Sequence, residues 1–512
     1  MDARFADALE RLPDYFGNHV LVSVTALVLG LALSLSLAIA SLRRPALRGT
    51  LLAATSIVQT IPGLALLALF YPLLLGVAAL SQSTFGVSFS ALGFLPAVLA
   101  LALYSMLPVV RNTITGILGI EPAIRRAALG VGMTERQSLL MVELPLALPV
   151  IMAGVRTASV WVIGTATLST PIGQTSLGNY IFAGLQTQNW VLVLFGCVAA
   201  AVLALAVDQL LALVERGYGL RSRKRMAAGG AGLGLIVLLS LVPNLLAGGG
   251  GYAIGAKPFA EQYILAALIQ DRLDAKGLPS TRRDGLGSAI IFSALAAGDI
   301  DAYVEYTGTI WTNQMHRSDV PSRGQVLRET GDWLEARHGI VTLGRLGFEN
   351  AYALAMTRKR AMELGISSIA DLANHAHSLS LGGDYEFFGR PEWKALEESY
   401  GLVFREQRQM QSEFMYPAVA AGEVDVIAAY TSDGRVAQLE LQILDDPKRA
   451  IPPYDAILLI APKRAGDRRF LDALRPLVGA IPVETMRDAN RRVSEGDSPE
   501  AVARSMAASL GR

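Results

Sequence analysis

A short phrase occurs twice in the second half of the chain, each time just ahead of a Tyr-Thr pair. Ala-Ala-Gly-Asp-Ile-Asp at 296–301 leads to Tyr306-Thr307, and Ala-Ala-Gly-Glu-Val-Asp at 420–425 leads to Tyr430-Thr431 with the same spacing. The pattern predicts a helix that ends at glycine, then an apolar strand with the Tyr-Thr pair just past it. Open α/β sheets bind ligands beyond the carboxyl ends of their strands. Two such lobes would direct both tyrosines into one shared cleft.

The chemistry that these residues predict is reversible binding rather than catalysis. The sequence offers no nucleophile–base pair around the tyrosines. His375-Ala376-His377 lacks an acidic or cysteine partner for a metal ion. Cys197 is the only cysteine, so an intrachain disulfide is impossible. We therefore predict a chain that is not an enzyme, with no catalytic residue, no metal ion and no cofactor.

The repeated phrases lie in a charge-rich part of the chain that begins abruptly after the run Gly248–Gly251. Of the 512 residues, 52% are hydrophobic, and the net charge of +1 hides two unlike halves and gives no reason to expect a nucleic-acid partner. Thr50–Val110, Thr157–Val207 and Met226–Ala256 contain no charged side chain, whereas Lys257–Arg512 is dense in charges. One chain thus joins a membrane part to a soluble part.

The first half contains six apolar stretches of transmembrane length. A spanning helix needs about 20 apolar residues, because each residue rises about 1.5 Å through a hydrocarbon core about 30 Å thick. The uncharged run Thr50–Val110 is long enough for two of the six, separated by the polar turn Ser81-Gln82-Ser83-Thr84. The other four predicted spans are about Val20–Ser41, Pro149–Thr170, Trp190–Leu213 and Met226–Ala247.

Lysine and arginine collect in alternate connections between these spans, which predicts the orientation. The loops Gly76–Gly93 and Pro171–Asn189 contain neither residue. The basic connections are therefore expected on the cytoplasmic side and the soluble part outside, with the sixth span resembling an uncleaved signal-anchor. The basic residues follow the first span (Arg43, Arg44, Arg48), the third (Arg111, Arg125, Arg126, Arg136) and the fifth (Arg216, Arg221, Arg223, Lys224, Arg225).

The connection between the third and fourth spans is predicted to form a small helix–turn–helix on the inner face. Small residues let another surface approach it closely, and Leu144-Pro145 is expected to end it before the next span. The segment resembles the EAA loop of ABC-importer permeases, with Val142 in place of isoleucine and Arg126 in place of an acidic residue. The matching residues are Ala127, Ala128, Gly132, Leu144 and Pro145.

That resemblance implies that the loop docks on a separate ATP-binding subunit, in two copies on a homodimer of this chain. The chain has no Gly-x-x-x-x-Gly-Lys-Ser/Thr phosphate loop, so ATP hydrolysis is expected on the partner. Four segments of the soluble part are similar to the osmoprotectant-binding proteins for glycine betaine, choline and carnitine, over nearly all of residues 252–505. They are Gly255–Gln262, Glu305–Thr309, Tyr430–Arg435 and Pro452–Asp455.

The resemblance implies a cage of tyrosine rings for a quaternary ammonium group, which has no N–H to donate. Each cation–π contact contributes about 0.5–2 kcal/mol, so several rings are needed. Three of the similar segments each contain one tyrosine of the cage, Tyr306, Tyr430 and Tyr454, and Tyr352 is the fourth ring. Lys257, Thr309 and Arg390 would hold a carboxylate. Each residue also has a plainer reading: a packing tyrosine, an exposed loop lysine or a surface arginine ion pair. The implied ligand-binding residues are Lys257, Tyr306, Thr309, Tyr352, Arg390, Tyr430 and Tyr454.

These observations predict a membrane all-α permease domain joined to a soluble, two-lobed α/β domain of the periplasmic-binding-protein type. The permease would occupy residues 1–225 with its inner coupling loop at 121–146, the sixth span and glycine tether 226–251, and the extracytoplasmic binding domain 252–512. The predicted function is ATP-driven import of quaternary ammonium solutes through the inner membrane, in contact with lipid. Ergothioneine, which also combines a trimethylammonium with a carboxylate, is an alternative substrate. A membrane-tethered solute sensor without transport is an alternative of another class.

Overall fold

A computed structural model describes residues 3–86, 89–187, 189–246, 251–317, 319–384 and 386–510. The chain divides into two compact units, one helical and one α/β, and each is treated by itself. Most of the predicted glycine tether, residues 248–250, lies outside the described residues.

The described part of the helical unit confirms the six predicted membrane spans. Six of its segments are long and apolar enough to cross a membrane, at 11–41, 63–85, 94–118, 135–172, 190–219 and 223–242. Helix α4 packs against α1 and α7, and α10 packs against α1. The helices are α1 (Ala3–Ser41), α2 (Pro45–Thr60), α3 (Gly63–Phe85), α4 (Phe94–Leu118), α5 (Pro122–Gly130), α6 (Glu135–Ser138), α7 (Leu144–Ala166), α8 (Gly178–Gln186), α9 (Trp190–Gly219) and α10 (Arg223–Leu246).

The loop predicted at Gly76–Gly93, after the second span, begins later in the chain than expected. The polar run Ser81–Thr84 was predicted as a turn, which is wrong because α3 continues through it to Phe85. The hydroxyl of Ser83 donates to the carbonyl of Leu80 at 2.9 Å, so a polar side chain is satisfied by the helix itself and does not end it. A shorter helix, α2, begins before the uncharged run and extends into it as far as Thr60, and the pattern did not predict it.

The predicted helix–turn–helix is present between α4 and α7. Helix α5 carries Ala127 and Ala128 and is followed by a turn in which Gly132 adopts φ +90°, a conformation that favours glycine. Helix α6 begins with a capping box, in which the side chains and backbone amides of Thr134 and Gln137 bond reciprocally. Buried Glu143 accepts a hydrogen bond from Ser138 at 2.9 Å and fixes the far end of the segment.

The expectation that Leu144-Pro145 ends this segment is wrong. A π-helical turn at Leu139–Glu143 leads without a break into α7, where Pro145 occupies the first turn. Proline has no N–H to donate and its ring crowds the carbonyl one turn earlier, and the wider π turn accommodates both. The amide of Leu144 accordingly donates to Leu139, five residues back. From α6 onward, the loop and the membrane helix α7 are therefore one continuous helical segment.

The α/β unit contains two five-stranded mixed sheets, with orders β2-β1-β3-β10-β4 in lobe A and β7-β6-β8-β5-β9 in lobe B. The strands are β1 (Tyr252–Gly255), β2 (Ser280–Arg283), β3 (Ala302–Tyr306), β4 (Val341–Glu349), β5 (Tyr352–Thr357), β6 (Ser380–Asp384), β7 (Glu406–Met410), β8 (Val426–Tyr430), β9 (Leu441–Ile443) and β10 (Asp455–Ile460). The helices are α11 (Ala260–Asp274), α12 (Ser288–Ala297), α13 (Thr307–Thr309), α14 (Arg323–His338), α15 (Arg358–Leu364), α16 (Ile369–His375), α17 (Pro391–Tyr400), α18 (Ser412–Ala420), α19 (Arg435–Gln438), α20 (Arg468–Leu474), α21 (Val483–Ser494) and α22 (Pro499–Ser509).

The repeated phrase occupies equivalent places in the two lobes. Its last aspartate accepts a hydrogen bond from the first part of the neighbouring parallel strand, Asp301 from the amide of Ala253 at 2.7 Å and Asp425 from that of Ser380 at 2.9 Å. The following strand, β3 or β8, ends at the tyrosine of the phrase. The chain passes from lobe A to lobe B between β4 and β5 and returns between β9 and β10, and each lobe has its own buried apolar core.

Candidate ligand-binding site

Three of the four predicted tyrosines form one group, here called the tyrosine cluster: Tyr352, Tyr430 and Tyr454. Tyr352 opens β5 and lies directly opposite Tyr430, the last residue of β8, in the antiparallel pair. Their ring centroids are 5.0 Å apart, and the ring of Tyr454, just before β10, stands 6.5 Å from that of Tyr352 at 86°. Both crossings between the lobes thus contribute a ring.

Every hydroxyl of the tyrosine cluster donates to a carboxylate. Tyr430 and Tyr352 donate to the same oxygen of Asp384, at 2.6 Å and 3.2 Å. Tyr454 donates to Glu392. Both carboxylates are buried, Asp384 at the end of β6 and Glu392 in the first turn of α17. These bonds fix the orientation of the rings and leave their faces as the surfaces that can contact a cation.

Arg390 joins this group but is already paired. Its guanidinium lies 5.1 Å from the ring centroid of Tyr352, 3.2 Å from Glu392 and 3.3 Å from Glu386. The side chain is only 8% exposed, so it is not a surface ion pair. A ligand carboxylate that bound Arg390 would have to share this cation with Glu392.

Tyr306 and Lys257 lie together in lobe A, in a second set of contacts. The ammonium group of Lys257 is 5.4 Å from the ring centroid of Tyr306 and forms a buried ion pair with Glu305. The ring of Tyr306 stacks on Phe259 at 6.3 Å. In this conformation the cation of Lys257 is therefore directed at a protein carboxylate.

The hydroxyl of Tyr306 donates to Glu261 at 2.5 Å, and this buried glutamate connects the two lobes. It also accepts hydrogen bonds from Ser432 of lobe B at 2.6 Å and from Asn490 of α21 at 3.0 Å. Asn350, at the first crossing, completes the set at 3.1 Å. Through Glu261, the tyrosine at the end of β3 is linked to the residues that follow Tyr430.

Burial shapes the ionisation of these groups. It raises the pKa of Glu261 above its ordinary value, although four hydrogen bonds act in the opposite direction. Burial, followed by the nearby Glu261 carboxylate, raises the pKa of Tyr306 well above 10. Burial likewise raises the pKa of Tyr430, with Tyr352 and Asp384 adding to the effect. The tyrosine hydroxyls therefore stay protonated and act as donors at neutral pH.

Thr309 is buried in the short helix that follows Tyr306. Its neighbour Gly308 packs so closely on Tyr454 that a Cβ atom there would meet the ring at 2.2 Å. No other residue type fits without displacing that ring.

We expect Gly308→Ala to weaken ligand binding at least tenfold, about 1.4 kcal/mol, because the ring of Tyr454 must move. The measurement is the dissociation constant of the purified chain. Gly331→Ala in α14, where the nearest atom to the new methyl would lie 3.9 Å away, is the matched control and should bind as wild type does. Equal affinities for both variants would contradict the expectation.

The sequence did not single out four acidic or polar residues that organise these contacts. Asp384 ends a parallel strand, which is the place where ligand-binding side chains are expected, so the strand rule could have found it. Glu261 lies inside one of the segments that carried the resemblance. Glu392 and Asn350 gave no such signal, because their importance comes from contacts between distant parts of the chain.

Two family models match the chain. "Substrate binding domain of ABC-type glycine betaine transport system" matches residues 252–508, and "Binding-protein-dependent transport system inner membrane component" matches residues 30–219.

Relatives match either the whole length or one part. The ergothioneine transport permease/ergothioneine binding protein EgtU of Helicobacter pylori (strain G27) is 30% identical over 485 residues, which is 91% of this chain and 84% of that protein. The glycine betaine/carnitine/choline transport system permease protein OpuCB of Bacillus subtilis (strain 168) is 40% identical over 200 residues, 39% of this chain and 85% of that protein. Among solved structures, one titled as a glycine betaine/carnitine/choline ABC transporter is 26% identical, covers 50% of this chain and 96% of its own, and gives a TM-score of 0.45.

Proposed function

Because this chain belongs to the family of ABC-type importers that join a binding-protein-dependent membrane component to a glycine betaine-type substrate-binding domain, we propose that it captures a quaternary ammonium solute and conducts it inward. In this proposal the α/β unit binds the solute and the helical unit forms the pathway across the membrane. The observation that carries this proposal is the tyrosine cluster, in which a ring from each crossing between the lobes meets the ring at the end of β8.

The cluster suits a methylated ammonium group for a physical reason. Such a group cannot donate a hydrogen bond, so it is held by ring faces and by nearby negative charge. The rings of Tyr352, Tyr430 and Tyr454 have their hydroxyls fixed on carboxylates, which stiffens the site before the ligand arrives. Closure of the two lobes around the ligand would complete it.

The solute is proposed to be either ergothioneine or a member of the glycine betaine, carnitine and choline group. Ergothioneine is favoured by the relative that aligns along nearly the whole chain, which is named for it. The other solutes are favoured by relatives named for them that align with 39% and 42% of this chain, and glycine betaine also by the family model that matches residues 252–508. All of them share the trimethylammonium head for which the cluster is suited.

Calorimetric titration of the purified full chain in nanodiscs with ergothioneine, glycine betaine, carnitine and choline tests this proposal. Saturable binding of at least one of them is the expected result, and injection of each solute into empty nanodiscs is the control for heats of dilution and lipid binding. If none of the four binds, the proposed substrate class is wrong.

We propose further that the basic connections face the cytoplasm, that the α/β unit lies outside, and that a separate ATP-binding subunit docks on the segment from α5 to α7. The continuous path from this segment into α7 supports the idea that docking is transmitted to the membrane helices. A sensor without transport would not need such a segment.

Gly132→Ala is expected to abolish co-purification of the ATP-binding subunit and solute uptake while leaving solute binding unchanged. Gly132 has φ +90°, and no atom lies within 4 Å of the place that an added Cβ would take, so alanine would act only by straining the turn, by about 1–3 kcal/mol. Gly49→Ala in α2, which lies outside the docking segment and where an added Cβ would also meet no atom within 4 Å, is the matched control. Normal uptake by Gly132→Ala would contradict the docking role, and binding without any uptake by the wild type would favour a sensor.

A further inference from the structure

Asp384 is a buried carboxylate whose partners are all hydrogen-bond donors without charge. One oxygen accepts from the hydroxyls of Tyr430 and Tyr352, and the other accepts from the backbone amides of Glu386 and Phe387 at 2.8 Å and 2.9 Å. The nearby Glu392, by contrast, has Arg390 at 3.2 Å. Among the described buried residues at the tyrosine cluster, Asp384 and Glu392 are acids and Arg390 is a base, so negative charge exceeds positive charge there.

A buried charge is costly unless an opposite charge compensates it. In the described part of the chain, the hydrogen bonds of Asp384 supply four donors but no cation. The carboxylate lies behind the two ring hydroxyls, and the guanidinium of Arg390, 5.1 Å from the ring centroid of Tyr352, shows that a ring of the cluster can face a positive group. A quaternary ammonium ligand would supply the missing charge without needing to donate a hydrogen bond.

The hydrogen bonds from the two tyrosine hydroxyls let the Asp384 carboxylate affect the rings as well. A phenol that donates to a carboxylate is polarised toward its oxygen, which makes the ring more electron-rich and its attraction for a cation stronger. Because Tyr430 donates at 2.6 Å, its ring is affected more than that of Tyr352, which donates at 3.2 Å.

We infer that Asp384 is a specificity-determining residue of the binding site, which selects a positively charged head group through its own charge and through the hydroxyl of Tyr430. This inference rests on the proposed function, since it assigns a role within the same site. It does not require Asp384 to touch the ligand.

Asp384→Asn is the decisive variant because it removes the charge and keeps the shape. The amide oxygen can still accept from the two backbone amides, and the amide nitrogen can donate to the tyrosine oxygens. We expect the dissociation constant of the full chain for its best quaternary ammonium ligand to rise at least tenfold. Glu398→Gln, an exposed carboxylate of α17 in the same lobe, is the matched control and should bind as wild type does.

A double-mutant cycle tests the route through the hydroxyl. Tyr430→Phe keeps the ring and removes its bond to Asp384, so its effect and that of Asp384→Asn should be less than multiplicative when combined. Thermal unfolding of each ligand-free variant distinguishes charge from folding, and Asp384→Asn is expected to melt no lower than the wild type, because the substitution removes an uncompensated buried charge. An affinity of Asp384→Asn within twofold of wild type, fully multiplicative effects, or a loss of affinity matched by a lowered melting temperature would each overturn the inference. If the wild type binds no quaternary ammonium compound, the proposed function fails and the inference fails with it, whereas wild-type binding with unaltered variants refutes the inference alone.

Discussion

Tyr430→Ala is expected to weaken binding of the quaternary ammonium ligand at least tenfold, about 1.4 kcal/mol or more. The substitution removes one of three rings, and it also removes the donor at 2.6 Å from Asp384 and the cross-strand partner of Tyr352. The ring of Tyr352 would then lose part of its fixed orientation. The dissociation constant measured by calorimetry, with binding domain and permease intact, is the appropriate readout.

A surface aromatic in the same lobe provides the control for this variant. Phe414 lies in α18 and is 44% exposed, so Phe414→Ala removes a ring of similar size without disturbing the tyrosine cluster. Tyr306→Ala gives a second comparison, because the resemblance assigns Tyr306 to the same cage. A tenfold loss in Tyr306→Ala as well would support that assignment, while unchanged affinity in both tyrosine variants would refute the cage.

The membrane helices and the repeated lobes could be predicted from sequence because their signals are local. Uncharged runs of fixed length specify spanning helices, and the repeated Ala-Ala-Gly phrase marks equivalent strand ends in both lobes. The errors also have local causes. The hydroxyl of Ser83 donates within α3, and a π turn lets Pro145 follow a helix without a break. Neither arrangement can be recognised from residue types alone.

The binding site could be predicted only in part because its energetics depend on pairs far apart in the chain. Tyr306, Tyr430 and Tyr454 were predicted from motifs and Tyr352 from the family resemblance, but the carboxylates that accept hydrogen bonds from these tyrosines were not predicted. Glu392 is 62 residues from its partner Tyr454, and Glu261 is 171 residues from Ser432. Likewise Lys257 and Arg390 were expected to meet a ligand carboxylate, and the partners Glu305 and Glu392 that hold these cations became visible only in the folded chain.

Glu261→Ala is expected to destabilise the α/β unit by about 3 kcal/mol, the second large effect. The change removes the acceptor of four buried donors, of which the amide of Asn490 keeps the carbonyl of Ser432, and each unsatisfied buried group costs about 1–3 kcal/mol before relaxation. The donors come from both lobes and from the first crossing between them. The lost hydrogen bonds would therefore weaken the junction about which the two lobes close. Denaturant unfolding of residues 252–512, whose two lobes have their own cores, measures the free energy of unfolding. Glu398→Ala on the exposed face of α17 should change it by less than about 0.5 kcal/mol.

The pH dependence of the same residue gives an independent test of its burial. Burial raises the pKa of Glu261 in the folded chain above its ordinary value of 4.5, so the folded state holds the proton more tightly than the unfolded state does. Relative to the non-titrating Glu261→Gln, the wild type should therefore keep its full advantage below pH 4.5 and lose part of it as pH rises through the raised pKa. A difference in unfolding free energy between the two proteins that instead grew with pH would mean that the four hydrogen bonds outweigh burial. Glu261 would then act as a permanently charged anchor between the lobes.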